Sequence, residues 1–335
     1  MRGALALRRG TVVSVEREGA EAELVVDVAG ERRKAVAYTG LTGPVEPGDD
    51  VVVNVAAADL GLGSGGFDIV HANLTRGLEA SGEPGAHVMK LNYTSLQHAV
   101  HPVEERAPGL EALPLEKPVA VIALHGQLPP VAWAAREAGG RIGYVQTPGG
   151  ALPGAHSRVV AEMLDSGLLA GHITAGPAFG GGDEAISVAG ALHAGLTELG
   201  WDAAIAGPGP GILGSATALG HGGLAALDTA HAALSLGCFT ILVPRMSEGD
   251  PRERHRGVSH HTETVLRLVL RPVILAMPEG FAYEGDHRVG AADVEGYRSS
   301  GLPARTMGRD IAEDELFFRA ALAGGSVLAE EIHGV

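Results

Sequence analysis

From residue 119 onward the chain alternates short apolar runs with amphipathic stretches, and each run leads into a loop rich in glycine, proline or histidine. The runs at 119–125, 141–146, 172–175, 202–206 and 239–243, with the later VILAM, have the length and continuity of strands buried on both faces. Between them, the segment 130–138 and SRVVAEMLDSGLL, EAISVAGALHAGLTELG, GGLAALDTAHAALSLG and SHHTETVLRLVLR carry helical spacing. Strands alternating with helices build βαβ units and a parallel sheet. Residues 118–335 are therefore expected to form a Rossmann-like, doubly wound α/β domain. Its helical extension, EDELFFRAALAGG, would pack Phe317 and Phe318.

Upstream the period changes. Residues 1–106 read as strands (GTVVSVERE, ELVVDVAGERRKAVAYTGL, DDVVVNVAA) separated by glycine, proline and acidic turns, with Val45–Asp49 as a tight turn. This suits a small all-β barrel of the SH3-like or OB-like kind. GLGSGGFDIVHANL reads as a glycine-rich loop entering a strand, HVMKLNYTSLQHAV as a last strand, and the charged, proline-broken 107–117 as a linker. The barrel is expected to serve as a scaffold or oligomerisation surface, making a homo-oligomer one expectation. Its Gly61–Phe67 loop is the one part placed to act as a lid.

A length of 335 residues suits these two domains. The net charge of −15 opposes binding to nucleic acid or anionic membranes, both of which need a basic surface. No apolar run approaches the roughly 20 residues that span a bilayer, and MRGALALRRGTVV reads as a first strand rather than a signal peptide. Cys238 is the sole cysteine, which excludes an internal disulfide and a cysteine-based zinc site. The cytoplasm is the expected location.

In an open parallel sheet, ligands bind beyond the carboxyl ends of the strands, so the loops there carry the functional reading. The first contains His125 and Gln127. The second runs from Thr147 through Gly149 and Gly150 to Arg158, and its paired glycines allow a ligand close to the backbone. In the third, Gly180–Gly182 could form an anion-binding nest before Asp183, which reads as a helix N-cap or an assisting acid. The fourth, Gly207–Gly223, has seven glycines. They include Gly207, Gly209, Gly211 and Gly214, and the loop also holds Ser215, Thr217 and His221. It matches neither the dinucleotide fingerprint nor a phosphate loop, yet its amides could face a phosphate or carboxylate.

The fifth loop, 245–262, holds four arginines (Arg245, Arg252, Arg254, Arg256) and three histidines (His255, His260, His261). Ser259 is a natural N-cap, which places His260 and His261 in the first helical turn. The helix dipole, about half a charge there, disfavours protonated rings. Neutral imidazoles suit general-base work or ligation of a divalent metal. Adjacent helical residues point about 100° apart, so His260 is expected to face the crevice and His261 to lock the loop.

HRGVSHHTETVL, TPGGALP, LHGQLP and TMGRDIAEDELFF, with VEPGDDVVVNVAAADLGLGSGG upstream, resemble the motif set of a bacterial family of about this length catalogued as a domain of unknown function. The resemblance spans nearly the whole chain and implies a fold-level grouping without a mechanism. AGPAFGGG and IAGPGPGILG are similar to the Gly-Pro-Ala-Phe loop of a glycine reductase subunit. That subunit's redox chemistry needs selenocysteine or cysteine, which these loops lack, so the likeness concerns loop shape.

Two functions compete. One is an enzyme, a hydrolase or group transferase, acting on a small anionic metabolite of a phosphorylated or nucleotide-like kind. Arg254, Arg256 and the Gly207–Gly214 amides would hold the anion, with His260 or His261 as base and His125 or Asp183 assisting. The other is a non-catalytic metabolite-binding or regulatory protein using the same crevice. An RNA-associated role through the barrel is opposed by charge and sparse aromatics.

Overall fold

In the computed structural model, which describes residues 5–62, 65–79, 81–215, 217–281 and 283–334, the chain divides into two compact units, one ending at His101 and one beginning at Pro102. The first contains a closed barrel of β1 (Leu7–Arg17), β2 (Glu21–Val28), β3 (Glu31–Tyr38), β4 (Asp50–Asn54) and β5 (Asp68–Asn73), ordered β1-β2-β3-β5-β4. Alternation fills it: Ala22, Leu24, Val26 and Val28 of β2 point inward with Val51 and Val53 of β4. The tight turn before β4 is held by Asp49, which accepts from the Glu46 amide (3.0 Å), Asn73 Nδ2 (2.8 Å) and Arg76 Nε (2.9 Å). The expected last strand is instead a separate hairpin, Val88–Lys90 with His98–Val100, unpaired with the barrel. Five strands already close the barrel and leave no edge for a sixth. Gly63 and Ser64 of the suggested lid loop lie outside the described residues.

The second unit is an eight-stranded, all-parallel sheet. In chain order its strands are β6 (Pro118–Ile122), β7 (Ile142–Thr147), β8 (Gly171–Ala175), β9 (Asp183–Ala185), β10 (Ala203–Pro208), β11 (Phe239–Val243), β12 (Ile274–Pro278) and β13 (His287–Gly290). Their spatial order is β9-β8-β7-β10-β6-β11-β12-β13. The chain leaves β6 toward β7 on one side and leaves β10 toward β11 on the other, so the direction of winding changes at the β10/β6 pair. That switch point is where an open sheet splays its loops apart. The edge strands β9 and β13 extend the expected sheet at both ends.

Alternate residues of each strand feed two cores. Val119, Val121, Ala204 and Ala206 pack under α3 (Val188–Leu196), α4 (Ala225–Ser235) and α5 (His260–Leu268). Ala120, Ile122, Ala203 and Ile205 pack under α1 (Leu128–Ala135), α2 (Arg158–Asp165) and α6 (Glu315–Gly334). This is the doubly wound α/β, Rossmann-like arrangement, and α6 buries Phe317 and Phe318 as the sequence suggests. Residues 102–106, read from the sequence with the barrel, belong to this second unit. Val103 is buried in the first core, and Glu104 Oε1 accepts from the amides of Ile186 (2.8 Å) and Ser187 (3.1 Å).

At the amino edge of the sheet Trp201 is wedged against backbone. A Cβ on Gly143 would lie 2.1 Å from its ring, and one on Gly195 2.4 Å. Only glycine lets β7 and α3 close on the indole. Gly143→Ala should overpack this contact and cost about 1–3 kcal/mol, read as a lower urea midpoint. A variant as stable as the parent would show that Trp201 can step aside.

Candidate functional site

Because all the strands are parallel, the loops after β6, β7, β8, β10 and β11 share one edge of the sheet. Four histidines meet there. His221 comes from the loop after β10, His255 from the loop after β11, and His260 and His261 from the first turn of α5. His221 and His261 stack at 3.7 Å with planes 10° apart, and His260 meets them edge-on at 5.4 and 4.5 Å. His255 lies 4.8 Å from His260 and 5.0 Å from His261. Gly223 admits this packing, since a Cβ there would stand 3.0 Å from His261 Nδ1 and 3.1 Å from His221 Nδ1.

The start of α5 fixes the two adjacent rings. Ser259 caps the helix by accepting from the His261 amide and bonds His255 Nδ1 at 2.8 Å. The Ser259 amide donates to Arg245 O (2.9 Å), while the Arg245 amide donates to Thr262 Oγ1 (2.9 Å). Arg245 Nη1 lies 3.1 Å from His261 Nδ1. A guanidinium only donates, so Nδ1 accepts and His261 is neutral with its proton on Nε2. His260, half-buried, has no partner for its buried Nε2, and neither ring nitrogen of the buried His221 makes a hydrogen bond of ordinary geometry, although the Ala218 backbone lies near enough to favour its protonated form.

Burial and nearby arginines keep all four rings unprotonated. Burial, followed by the charge of Arg245, lowers His261 to about 2, and burial with Arg245 and Arg252 lowers His255 to about 3. His221 and His260 are also lowered, chiefly by burial. Arg245 itself is pulled down to about 10 by burial.

Two buried carboxylates hold the loop. Asp250 accepts from Arg245 Nη2 (3.2 Å), Arg252 Nη2 (2.8 Å) and Arg252 Nε (2.9 Å), and Arg309 reaches it at 3.5 Å. Burial alone would raise its carboxyl, but the Arg252 hydrogen bonds hold it below the usual carboxylate range. Asp314 accepts from Ser247 Oγ (2.7 Å), the amides of Glu248 and Gly249, and Arg309 Nε (2.9 Å). The HRGVSHHT and TMGRD motifs are thus one assembly.

A second constellation lies after β6 and β7. His125 Nε2 is 2.6 Å from Ser157 Oγ, the N-cap of α2. Tyr144 OH lies 3.4 Å from His125 Nδ1 and donates to the Gly207 and Pro208 carbonyls at 3.1 Å. Tyr144 also stacks on His172, whose Nε2 is 3.2 Å from Gln146 Oε1. Burial lowers His125 to about 4 and His172 to about 3. Ser157, Tyr144, Gln146 and His172 escaped the sequence reading, because a serine cap and apolar-run residues carry no local sign of this pairing.

Several expected residues prove structural. The first strand ends at Ile122, and His125 opens a 3-10 turn instead of ending the strand. Gln127 is fully buried, accepting from the amides of Ala123 and Leu124 and donating to the carbonyls of Val243 and Pro244. Thr147 is buried at the end of β7, its hydroxyl on Pro148 O. Gly149 (φ +120°) and Gly150 let two loops interlock: side chains there would strike Gly222 O and Gly209 O. Arg158 opens α2.

Asp183 is a correction, since it lies in edge strand β9 and pairs with Arg106, while Ser187 caps the helix. The nest at Gly180 is filled from within, because Glu184 Oε1 accepts from the Gly180 amide at 2.6 Å. Gly207 belongs to β10. A hairpin-like turn closed between Gly214 and His221 leaves Ser215 and Thr217 exposed, bonded to each other at 2.8 Å. The parallel pairing of Pro208 with Thr147 directs the Gly209 amide to Thr147 O, since proline itself cannot donate, whereas the Gly211 amide has no backbone acceptor among the described residues. Arg256 donates from Nε to Asp250 O (3.1 Å), whereas Arg254 is exposed and makes no ion pair with a described residue.

Elsewhere, a cavity of about 580 Å³ at the amino edge of the sheet is lined by Trp133, Arg136, Ile142, Leu168 and Leu302. It is remote from these histidines. Among the described residues no helix is long and apolar enough to cross a membrane.

A family model described as "Protein of unknown function (DUF3866)" matches residues 34–325. The chain belongs to that family. No curated protein matches it. The crystal structure of YjeQ from Thermotoga maritima is similar over 80% of this chain and 66% of its own, with 10% identity and a TM-score of 0.16. The match takes in part of the barrel unit and most of the sheet unit, and it names no chemistry.

Two measurements probe this edge. His172 is neutral when folded but titrates near 6.5 when unfolded. Below that pH the unfolded chain binds the extra proton. Its stabilisation is therefore full above about pH 6.5 and lost as pH falls toward 3. His172→Phe keeps the ring stack and should flatten the acid limb of urea midpoints between pH 8 and 5. An unchanged slope would contradict the assignment. His261→Ala strands Arg245 Nη1 and should cost about 1–3 kcal/mol; an unaltered melting temperature would mean the Arg245 contact contributes nothing.

Proposed function

We propose that the chain is an enzyme, a hydrolase or group transferase, acting on a small anionic metabolite of a phosphorylated or nucleotide-like kind. The observation that carries this reading is the pairing of unprotonated, unpartnered histidine nitrogens with an uncommitted cation. His260 Nε2 is buried and unsatisfied, and the exposed Arg254 is close enough for its charge to bear on that ring. A neutral imidazole can take a proton from water or a hydroxyl as that oxygen attacks. Arg254 supplies a fork suited to phosphate or carboxylate oxygens, and the amide of Gly211 adds a donor. His221 is a second base or ligand beside His260. His261, bound to Arg245, orients rather than reacts. Neither a dinucleotide fingerprint nor a phosphate loop is present, which favours hydrolysis or group transfer over hydride transfer.

A thermal-shift screen of the full chain against nucleotides, sugar phosphates and acyl carriers tests the reading. A ligand at about a hundredfold over its Kd adds about 2.7 kcal/mol of stability. His260→Ala should abolish turnover of the hit while melting like the parent. Arg254→Ala should weaken binding of the charged ligand and spare an uncharged analogue. A ligand that binds and is never transformed would replace the enzyme by a metabolite sensor, and unchanged turnover in His260→Ala would remove this histidine from the chemistry.

A further inference from the structure

We infer that His221, His260 and His261 hold a divalent transition-metal ion of the zinc class, and that Arg245 releases His261 as the ion enters. One ring nitrogen from each of the three lies within 4.8 Å of the others. Bonds of 2.0–2.1 Å to a tetrahedral ion place its ligands about 3.3 Å apart, so the nitrogens need close by no more than about an ångström and a half. His221 is 7% exposed with both ring nitrogens unpaired, and His260 Nε2 is buried and unpaired as well. Buried polar atoms almost always have partners. Here the orphaned nitrogens are grouped beside a third imidazole; the His221 and His261 rings are stacked in nearly parallel planes, so one of them must turn for both lone pairs to meet an ion.

The ligand chemistry selects the ion. Three imidazoles suit zinc, cobalt, nickel or copper, whereas magnesium and calcium take oxygen ligands. The lone thiol, Cys238, is buried in the sheet's first core and plays no part. Three protein ligands leave a tetrahedral ion one open position, the pattern of catalytic rather than structural sites; in the loaded state His260 would be a ligand, and the base role proposed above for its free Nε2 would belong to the metal-free state alone.

Arg245 sets the condition for loading. Its Nη1 donates to His261 Nδ1. If the ion binds Nδ1, the guanidinium must leave that nitrogen. If the ion binds Nε2, the ring proton must move to Nδ1, where it would face the same guanidinium. Either way Arg245 gives up the contact, and Asp250, already 3.2 Å from its Nη2, is the partner that retains it. Apo and loaded states therefore differ in one hydrogen bond.

The test uses the full chain, freed of any histidine tag and chelator-stripped, titrated with Co(II) alone and then with Zn(II). We expect one Co(II) per chain, with the visible absorption of a four-coordinate ion that Zn(II) displaces, and no response to Mg(II). His221→Ala and His260→Gln should each weaken Co(II) binding by more than the roughly 10–100-fold that loss of an outer partner costs. His333→Ala, at the far end of α6, should bind as the parent does. Absence of stoichiometric Co(II) binding, or parental affinity in both ligand variants, overturns the site. Metal binding is read without any substrate, so a failed metabolite screen would leave this result standing.

Discussion

Asp250 is the residue on which the candidate site depends. It is fully buried, and three arginines from two distant segments converge on it: Arg245 and Arg252 from the loop after β11, and Arg309 from the segment before α6. A buried carboxylate is tolerated only when paired and hydrogen-bonded, and removing one partner of such a pair typically costs about 3–5 kcal/mol. Here the pairing also transmits position. Asp250 holds Arg245, Arg245 holds His261, and Ser259 ties the helix start to both His255 and the Arg245 carbonyl. The four-histidine cluster is therefore placed by electrostatics from below and by a helix cap from the side. A solvated loop of the same composition would offer neither.

The other loops are fixed by close backbone approach. The Ala151 amide donates to Pro210 O at 2.7 Å, and the Gly154 amide to Phe179 O at 2.7 Å, so the loops after β7, β8 and β10 are laced together. Glycines at the crossings permit that approach, which is why several of them are spent on packing. Among the described residues, what remains open along this edge is narrow in chemical type: unprotonated imidazoles, the exposed Arg254 and the Gly211 amide. Such a set suits an anion held beside a base, and it is poorly suited to an extended polymer.

Much of the architecture was legible because its signal is local. Continuous apolar runs such as VAVI suit strands buried on both faces, as in a parallel sheet, and barrel strands β2 and β4 alternate along most of their length. Strands β9 and β13 were not legible, since three or four residues with polar members acquire strand geometry only from their neighbours' hydrogen bonds. The fifth loop was legible as a histidine-rich helix start. Its restraints were not: Ser247 meets Asp314 across 67 residues of chain, and Ser157 meets His125 across 32. Asp183 looked like an N-cap because an acid after glycines commonly is one. Glu184 and Ser187 took the two roles expected there, one filling the glycine nest and the other capping the helix.

The number of histidines matters less than their inequality. Arg245 settles the tautomer of His261, and Ser259 gives His255 a partner, so those two rings are committed before any ligand arrives. His221 has neither nitrogen committed, and His260 keeps Nε2 free. Leaving buried nitrogens unsatisfied costs stability that a purely structural cluster would have no reason to bear. The surrounding arginines add to that cost for a proton, since a charged ring would be repelled by Arg245, Arg252 and Arg254. The same charges attract an anion, and an anion at Arg254 would offset their repulsion of a cation held by the imidazoles. The edge disfavours a proton on either ring while leaving nitrogens of His221 and His260 without hydrogen-bond partners, and the proposed base and the proposed ion both rest on that combination.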